Sequence, residues 1–309
     1  ADTGMDGIQR HADGSVAVNR ICVFGEVLFD HFPDGKRVLG GAPFNVAWHL
    51  QAFGQSPLFI SRVGQDPEGQ LIRDAMERWG MGTERLQIDE RHPTGRVTVE
   101  LVDGEPSYDI VRPAAWDAIE TERAGYGCGI LYHGTLALRE QASRTTLEAI
   151  RNSAKGSVFV DVNLRSPWWQ RESVLAQLVP ANWVKLNSDE LALLMPTKKP
   201  DKDAAMQFIE RHGLDGVILT HGSKGAEILT ADGEHAGARP ESDVPVVDTV
   251  GAGDAFASVI LLGLANGWPL QQMLERAQSF ASQIVGRRGA TVSDPAFYRP
   301  FIESWSGQH

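Results

Sequence analysis

Residues Val246 to Phe256 read V-V-D-T-V-G-A-G-D-A-F. Three small residues, Gly251, Ala252 and Gly253, stand between two aspartates, directly before the apolar run A-F-A-S-V-I-L-L-G-L. Val244 to Val247 is strand-like in composition and Ala255 onward is helix-like, so the G-A-G turn should fall at a helix N-terminus. There the first N–H groups lack partners within the helix, and the helix dipole favours an anion. Glycine lets the backbone approach a ligand with no Cβ in the way. Asp254 then has two readings: a helix cap, or a general base that accepts a hydroxyl proton beside a bound anion. The stretch alone leaves both open.

The rest of the chain supplies the frame for that turn. Short apolar runs read as buried strands at Ile21–Val27, Pro57–Val63, Gly129–His133, Ser157–Asn163, Trp183–Asn187 and Gly216–Thr220. Helical periodicity fills most of the gaps, at Glu68–Trp79, Ser143–Asn152, Ser188–Met195 and Lys202–His212. Continuous apolar strands alternating with amphipathic helices predict an α/β fold, a mostly parallel sheet covered by helices on both faces. Such sheets bind ligands at the carboxyl ends of their strands. Thr94–Arg112 breaks the pattern: it alternates with period two around D-G-E-P, which predicts a hairpin and a candidate lid. No internal repeat or clean domain boundary interrupts the chain after a polar, Gly-rich leader over 1–19, which is expected to be disordered.

The 309 residues are 42% hydrophobic and 22% charged, the balance of a globular protein with a sizeable core. A formal net charge of −11 argues against a general nucleic-acid or anionic-membrane binder. No apolar run reaches the ~18 residues of a membrane span. The two cysteines, Cys22 and Cys128, form no C-x-x-C pair, and a reduced, cytoplasmic protein is expected.

Further motifs fall at the same predicted strand ends. G-G-A-P-F-N-V-A (Gly40–Ala47) is a second Gly-rich turn entering a helix, with Asn45 placed to face a cleft. R-V-G-Q-D-P-E-G (Arg62–Gly69) is a strand–turn–helix junction. D-V-N-L-R (Asp161–Arg165) ends a strand with groups suited to hydroxyls or carboxylates. K-L-N-S-D-E (Lys185–Glu190) offers Asn187 and Glu190, oxygen ligands at a spacing that suits Mg²⁺ held partly through water. T-H-G-S-K-G (Thr220–Gly225) is another glycine turn after a strand. Taken singly, N-x-x-E is usually surface, D-x-N-x-R often an ion pair, and T-x-G-x-x-G a loop. Their shared position on one rim is what gives them weight.

Together, G-G-A-P-F-N-V-A with R-V-G-Q-D-P-E-G, and D-T-V-G-A-G-D-A-F, resemble the two signatures of the ribokinase-like (PfkB) carbohydrate kinases. N-x-x-E and T-x-G-x-x-G lie between them in the matching order, so the resemblance runs from about Arg20 to the C-terminus. It implies one ribokinase-like kinase domain over 20–309, with a lid built from about 31–38 and 94–112. It implies Asp254 as catalytic base and Gly251, Ala252 and Gly253 as the anion hole for the transferring phosphoryl group. It implies ATP as donor, with Thr220, Gly222 and Gly225 on its phosphates, Gln278 near the base, and Asn187 and Glu190 organising Mg²⁺ and its waters. Asp30, Gly40, Gly41 and Asn45 would hold the sugar under the lid. Asp248, Val250, Val285, Arg288 and Ser293 match a loop that binds K⁺ in relatives.

The acceptor is harder to read. G-G-A-P-x-N-V-A, and D-x-N-x-R followed by Trp168 and Trp169, look most like fructokinases, whereas Arg112 and Arg165 resemble positions that meet an acid sugar in 2-keto-3-deoxygluconate kinases. Phe44 is bulkier than the residue often found there and is expected to narrow the pocket. A kinase-fold sensor without catalysis is the rival from another class; it should lose the base, the anion hole or the metal motif, and this chain keeps all three. Neither a P-loop nor a G-x-G-x-x-G fingerprint is present, which weakens a dehydrogenase reading. The expected partners are a small sugar and ATP, with no nucleic acid and no membrane, and a homodimer that pairs through the lid.

Overall fold

The structure is a computed structural model that describes residues 20–306 except 103–104, 123–124, 155, 197–198 and 241–244. The expected leader over 1–19 lies outside the described residues. The strands are β1 (Arg20–Phe24), β2 (Leu28–His31), β3 (Arg37–Gly40), β4 (Leu58–Gly64), β5 (Leu86–Asp89), β6 (Gly95–Val102) and β7 (Glu105–Ile110), then β8 (Cys128–His133), β9 (Ser157–Asp161), β10 (Trp183–Asn187), β11 (Gly216–Thr220), β12 (Ala226–Thr230) and β13 (His235–Ala238). The helices are α1 (Ala42–Ala52), α2 (Pro67–Arg78), α3 (Gln141–Ser153), α4 (Arg171–Leu178), α5 (Ser188–Leu194), α6 (Lys202–His212), α7 (Ala252–Asn266), α8 (Leu270–Val285) and α9 (Pro295–Ser306). All six strands and all four helices read from the sequence are present, with ends shifted by a few residues.

The strands form a sheet in the order β13-β12-β11-β10-β9-β8-β1-β4-β5. It is parallel from β5 through β11, and the β12–β13 edge is antiparallel. Along β1, Ile21 and Val23 enter one apolar cluster with α7 and α8 residues such as Phe256 and Phe280. Cys22 and Phe24 enter another with Trp116 and Leu147. A strand buried on both faces has no polar side to show, which is why β1 reads as an unbroken apolar run.

A second sheet, ordered β3-β2-β6-β7, stands apart. The β6–β7 hairpin is the one predicted over 94–112, while the 31–38 segment proves to be chiefly the turn joining β2 to β3. Glu68, buried at the start of α2, anchors this sheet: His31, Arg37 and Arg96, one from each of three strands, reach its carboxylate at 2.8, 3.2 and 3.8 Å. Asp66 caps α2 by accepting from the Gly69 N–H at 2.8 Å and also accepts from the Thr94 N–H and hydroxyl at 2.8 and 2.6 Å. R-V-G-Q-D-P-E-G is thus a joint between the two sheets.

Three expectations are corrected. Residues 245–247 form no strand, and Val244 lies outside the described residues. Val246 and Val247 are exposed, and the Val247 and Asp248 N–H groups both donate to the Val285 carbonyl at the end of α8 rather than to a strand. Phe44 does not narrow a pocket; it is 1% exposed and packs edge-on to Phe59 and beside Trp48 in the core. Cys22 and Cys128 are joined in a disulfide, with Cα atoms 5.6 Å apart, a separation suited to that bond. They lie on neighbouring strands, an adjacency that a sequence separation of 106 conceals. The bond removes the ground on which a reducing compartment was expected. Among the described residues, no helix is long and apolar enough to cross a membrane.

Candidate active site

The G-A-G turn begins α7, as the sequence requires. Gly251 caps the helix in a left-handed conformation (φ 78°), and a Cβ there would lie 2.3 Å from the Ala290 side chain. A larger residue would strain the backbone and push the 286–293 loop away. That loop is fixed from the other side by α1: His49 donates from Nε2 to the Ala290 carbonyl at 3.0 Å, and Trp48 from Nε1 to the Val292 carbonyl at 3.0 Å. Burial holds His49 down at about 4, so it serves as a neutral strut.

Asp254 sits in the first turn of α7 and receives a hydrogen bond from Nδ2 of the buried Asn45, 2.8 Å from its Oδ2. Two motifs that are 209 positions apart in the chain therefore meet in one contact. Burial pushes the Asp254 carboxyl up to about 6; Asp161 adds to the rise, while Asn45, Lys185 and Arg165 oppose it. A carboxyl near 6 is ionised at neutral pH yet basic enough to take a proton. Asn45→Ala removes a donor that favours the charged form. The acid limb of the pH–rate profile, centred near pH 6 in the parent, is therefore expected to move to higher pH. A limb that stayed put or moved down would refute this coupling.

The sugar-side turn adjoins this pair. Gly41 precedes α1 at φ 108°, where a Cβ would come within 2.7 Å of the Glu26 carbonyl. Asp30 is on β2, facing the Gly40 backbone, and burial pushes its carboxyl up to about 6. Asn187 and Glu190 form a reciprocal capping box on α5: Asn187 Oδ1 accepts from the Glu190 N–H at 2.8 Å, and Glu190 Oε2 from the Asn187 N–H at 2.9 Å. Glu190 Oε1 also accepts from the Leu164 N–H. Thr220 stands directly beside Asn187 in the β10–β11 register, ahead of Gly222 (φ 57°) and Gly225 (φ 108°). Gln278 lies half-buried on α8.

Asp248 closes the loop expected to hold a cation, accepting from the Val250 and Gly289 N–H groups at 3.0 Å each. The Val285 carbonyl already takes two N–H bonds, while Arg288 and Ser293 are both exposed on the same loop. The two arginines part company. Arg165 acts electrostatically on both Asp254 and Glu26. Arg112 is exposed, ion-paired with Glu140 and placed over the Trp168 ring.

Sequence reading missed three parts of the site. Lys185 donates to both oxygens of Asp161 at 3.0 Å, deep between β9 and β10, and its Nζ lies close to Gly253. Glu26 is 3% exposed; burial pushes its carboxyl up to about 7, and Asp254 raises it further. His221, inside the phosphate-type loop, joins Ser188 (2.7 Å) to Glu227 (3.0 Å) and so ties α5 to β12. The first is a side-chain pairing between neighbouring strands, and the other two lie in loops outside the quoted motif roles, so none is legible from local composition.

The sequence profile of the pfkB family carbohydrate kinases matches residues 17–296. The chain belongs to this family. It is a carbohydrate kinase, 32% identical over 302 residues to a fructokinase of Salmonella typhimurium, covering 89% of this chain and 96% of the relative. It is 30% identical to fructokinase-2 of Oryza sativa subsp. japonica, covering 92% and 94% of the two chains. Among solved structures, a Xylella fastidiosa fructokinase with bound ATP superposes with TM-score 0.81 at 23% identity, covering 93% and 99% of the two chains, which supports the ribokinase-like fold. A double mutant of the Vibrio cholerae fructokinase, in a form that binds fructose, ADP and potassium ion, superposes at 0.77 with 25% identity, covering 92% and 98%.

Proposed function

We propose that this carbohydrate kinase is a fructokinase that moves the γ-phosphoryl group of ATP to a primary hydroxyl of fructose. The observation that carries the reading is the contact between Asn45 of the sugar-side turn and Asp254 at the head of α7, which sets the base between acceptor and donor sites. Asp254 takes the hydroxyl proton as the sugar oxygen bonds to the γ-phosphorus, and the β–γ bridging oxygen leaves with the bond's electron pair as ADP. Gly251, Ala252 and Gly253 present N–H groups to the charge on the transferring phosphoryl, where fixed dipoles act most strongly. Asp30 and Asn45 orient the sugar, and the small sheet, anchored at Glu68, closes over it to exclude water as a competing acceptor.

The residues fit a divalent cation. Among the described residues no three acidic, histidine or cysteine side chains converge tightly enough to cage a metal, so Asn187 and Glu190 would hold Mg²⁺ through water beside the nucleotide phosphates. The ion would there neutralise developing charge on the phosphates. The Asp248–Ser293 loop is the place for K⁺, and the edges of the small sheet are where a second copy would pair. A sugar acid fits less well: of the two guanidiniums that would meet its carboxylate, Arg112 is already neutralised by Glu140.

An ADP-release assay over fructose, other ketoses, aldoses, 2-keto-3-deoxygluconate and nucleosides, with and without K⁺, tests the assignment. Fructose is expected to give the highest kcat/KM. Preference for the keto acid would overturn the substrate, and no turnover on any sugar would favour a sensor.

A further inference from the structure

A cavity of about 610 Å³ opens between α3 and α4, on the flank of the large sheet. Four arginines line it: Arg112, Arg139, Arg144 and Arg151. Two of these are already neutralised. Arg139 holds Asp117 through Nε at 2.7 Å and Nη2 at 2.8 Å, and Arg112 pairs with Glu140.

The other two have no carboxylate partner among the described residues. Arg144 donates to the Leu138 and Arg139 carbonyls at 2.7 and 3.1 Å and to the Gln141 amide oxygen at 3.0 Å. Arg151 donates from Nη2 to the Gln177 carbonyl at 3.2 Å and to His133 Nε2 at 2.5 Å. The Gly134 carbonyl, 2.8 Å from His133 Nδ1, can only accept, so Nδ1 carries the proton and Nε2 is the acceptor. His133 is therefore neutral, as burial and the nearby Arg151 also require, and it gives Arg151 no counter-charge. The Nε of Arg151 and Oε1 of Gln177 are buried with no hydrogen-bond partner. Burial pushes the Arg151 guanidinium down to about 10 against the opposing pull of Glu148, the exposed carboxylate on the same wall. A guanidinium held this way gains most from an anion that supplies both charge and acceptor oxygens.

Trp168 and Trp169 also line the cavity, with the Arg139 and Arg112 guanidiniums 4.6 and 5.8 Å from the Trp168 ring centre. An indole face takes the C–H face of a sugar ring, and the volume lies within the range of small-molecule sites, roughly 300–1,000 Å³.

We propose that the α3–α4 cavity is a second ligand site, separate from the catalytic cleft, that binds a sugar phosphate. Its phosphate sits between Arg144 and Arg151, and its sugar ring lies against Trp168 and Trp169. The proposal requires only this cavity's chemistry and holds whichever sugar the cleft phosphorylates.

Titration calorimetry on the full chain tests it, with fructose 1-phosphate, fructose 6-phosphate, glucose 6-phosphate and inorganic phosphate as probes. The catalytic cleft is kept filled with fructose and a non-hydrolysable ATP analogue. At least one sugar phosphate is expected to bind saturably, at least tenfold more tightly than inorganic phosphate. Arg144→Gln is expected to weaken it about tenfold and Arg151→Gln more, while Glu148→Gln, at an exposed position, should tighten it. Binding that the cleft ligands abolish would overturn the proposal, as would binding unchanged in both Arg144→Gln and Glu148→Gln. Inorganic phosphate binding as tightly as every sugar phosphate would remove the role of the two tryptophans.

Discussion

Asp254→Asn is expected to lower kcat by about 10²–10⁴, the usual contribution of a positioned general base. The amide has the same shape and can still accept from Asn45, but it cannot take the hydroxyl proton. The proposed anion hole is made of backbone, and the turn that would form it is set by Gly251 against Ala290 rather than by the carboxylate. Nucleotide affinity should therefore change little. The variant also loses a buried charge whose ionisation burial disfavours, so its melting temperature should hold or rise. ADP release under saturating fructose, paired with calorimetric ATP binding, separates these effects. Turnover within tenfold of the parent would mean that another group takes the proton.

Lys185→Met is expected to have the largest effect on stability, about 3–5 kcal/mol, because it leaves the Asp161 carboxylate buried without its cation. Only the Tyr132 hydroxyl, 3.1 Å away, would remain to solvate it among the described side chains. Against a typical total of about 5–15 kcal/mol, that is a large share, and a fall in melting temperature of roughly 6–15 °C follows. The double variant Lys185→Met/Asp161→Asn distinguishes charge from packing, since removing both partners should recover most of the loss. Denaturant midpoints give the comparison. A single-variant loss under about 1 kcal/mol, or a double variant no better than the single, would show that the pair contributes by shape alone.

The alternation of apolar strands and amphipathic helices carried the main sheet, because strands buried on both faces and helices buried on one leave different periods in the sequence. Glycines at Gly41, Gly222, Gly225 and Gly251 mark turns that adopt a positive φ. What stayed hidden was contact between distant strands. Nothing in K-L-N shows that Lys185 will face Asp161, or that β1 and β8 will bring two cysteines side by side. The same limit explains Phe44 and Val246–Val247: local composition reads both, but the core claims the phenyl ring, and among the described residues the N–H of Val247 bonds to the end of α8 rather than to a strand. The Arg112–Glu140 ion pair is equally illegible, since its partners stand 28 positions apart.

The Cys22–Cys128 bond has a consequence for the chain as a covalent object. Residues 23–127 form a closed loop that contains the whole small sheet, α1 and α2. A single backbone cut within the described part of that loop, the β2–β3 turn included, would sever the main chain and yet leave both fragments fastened through β1 and β8. The small sheet is thus tethered twice to the body that carries Asp254: once through the polypeptide and once through sulfur.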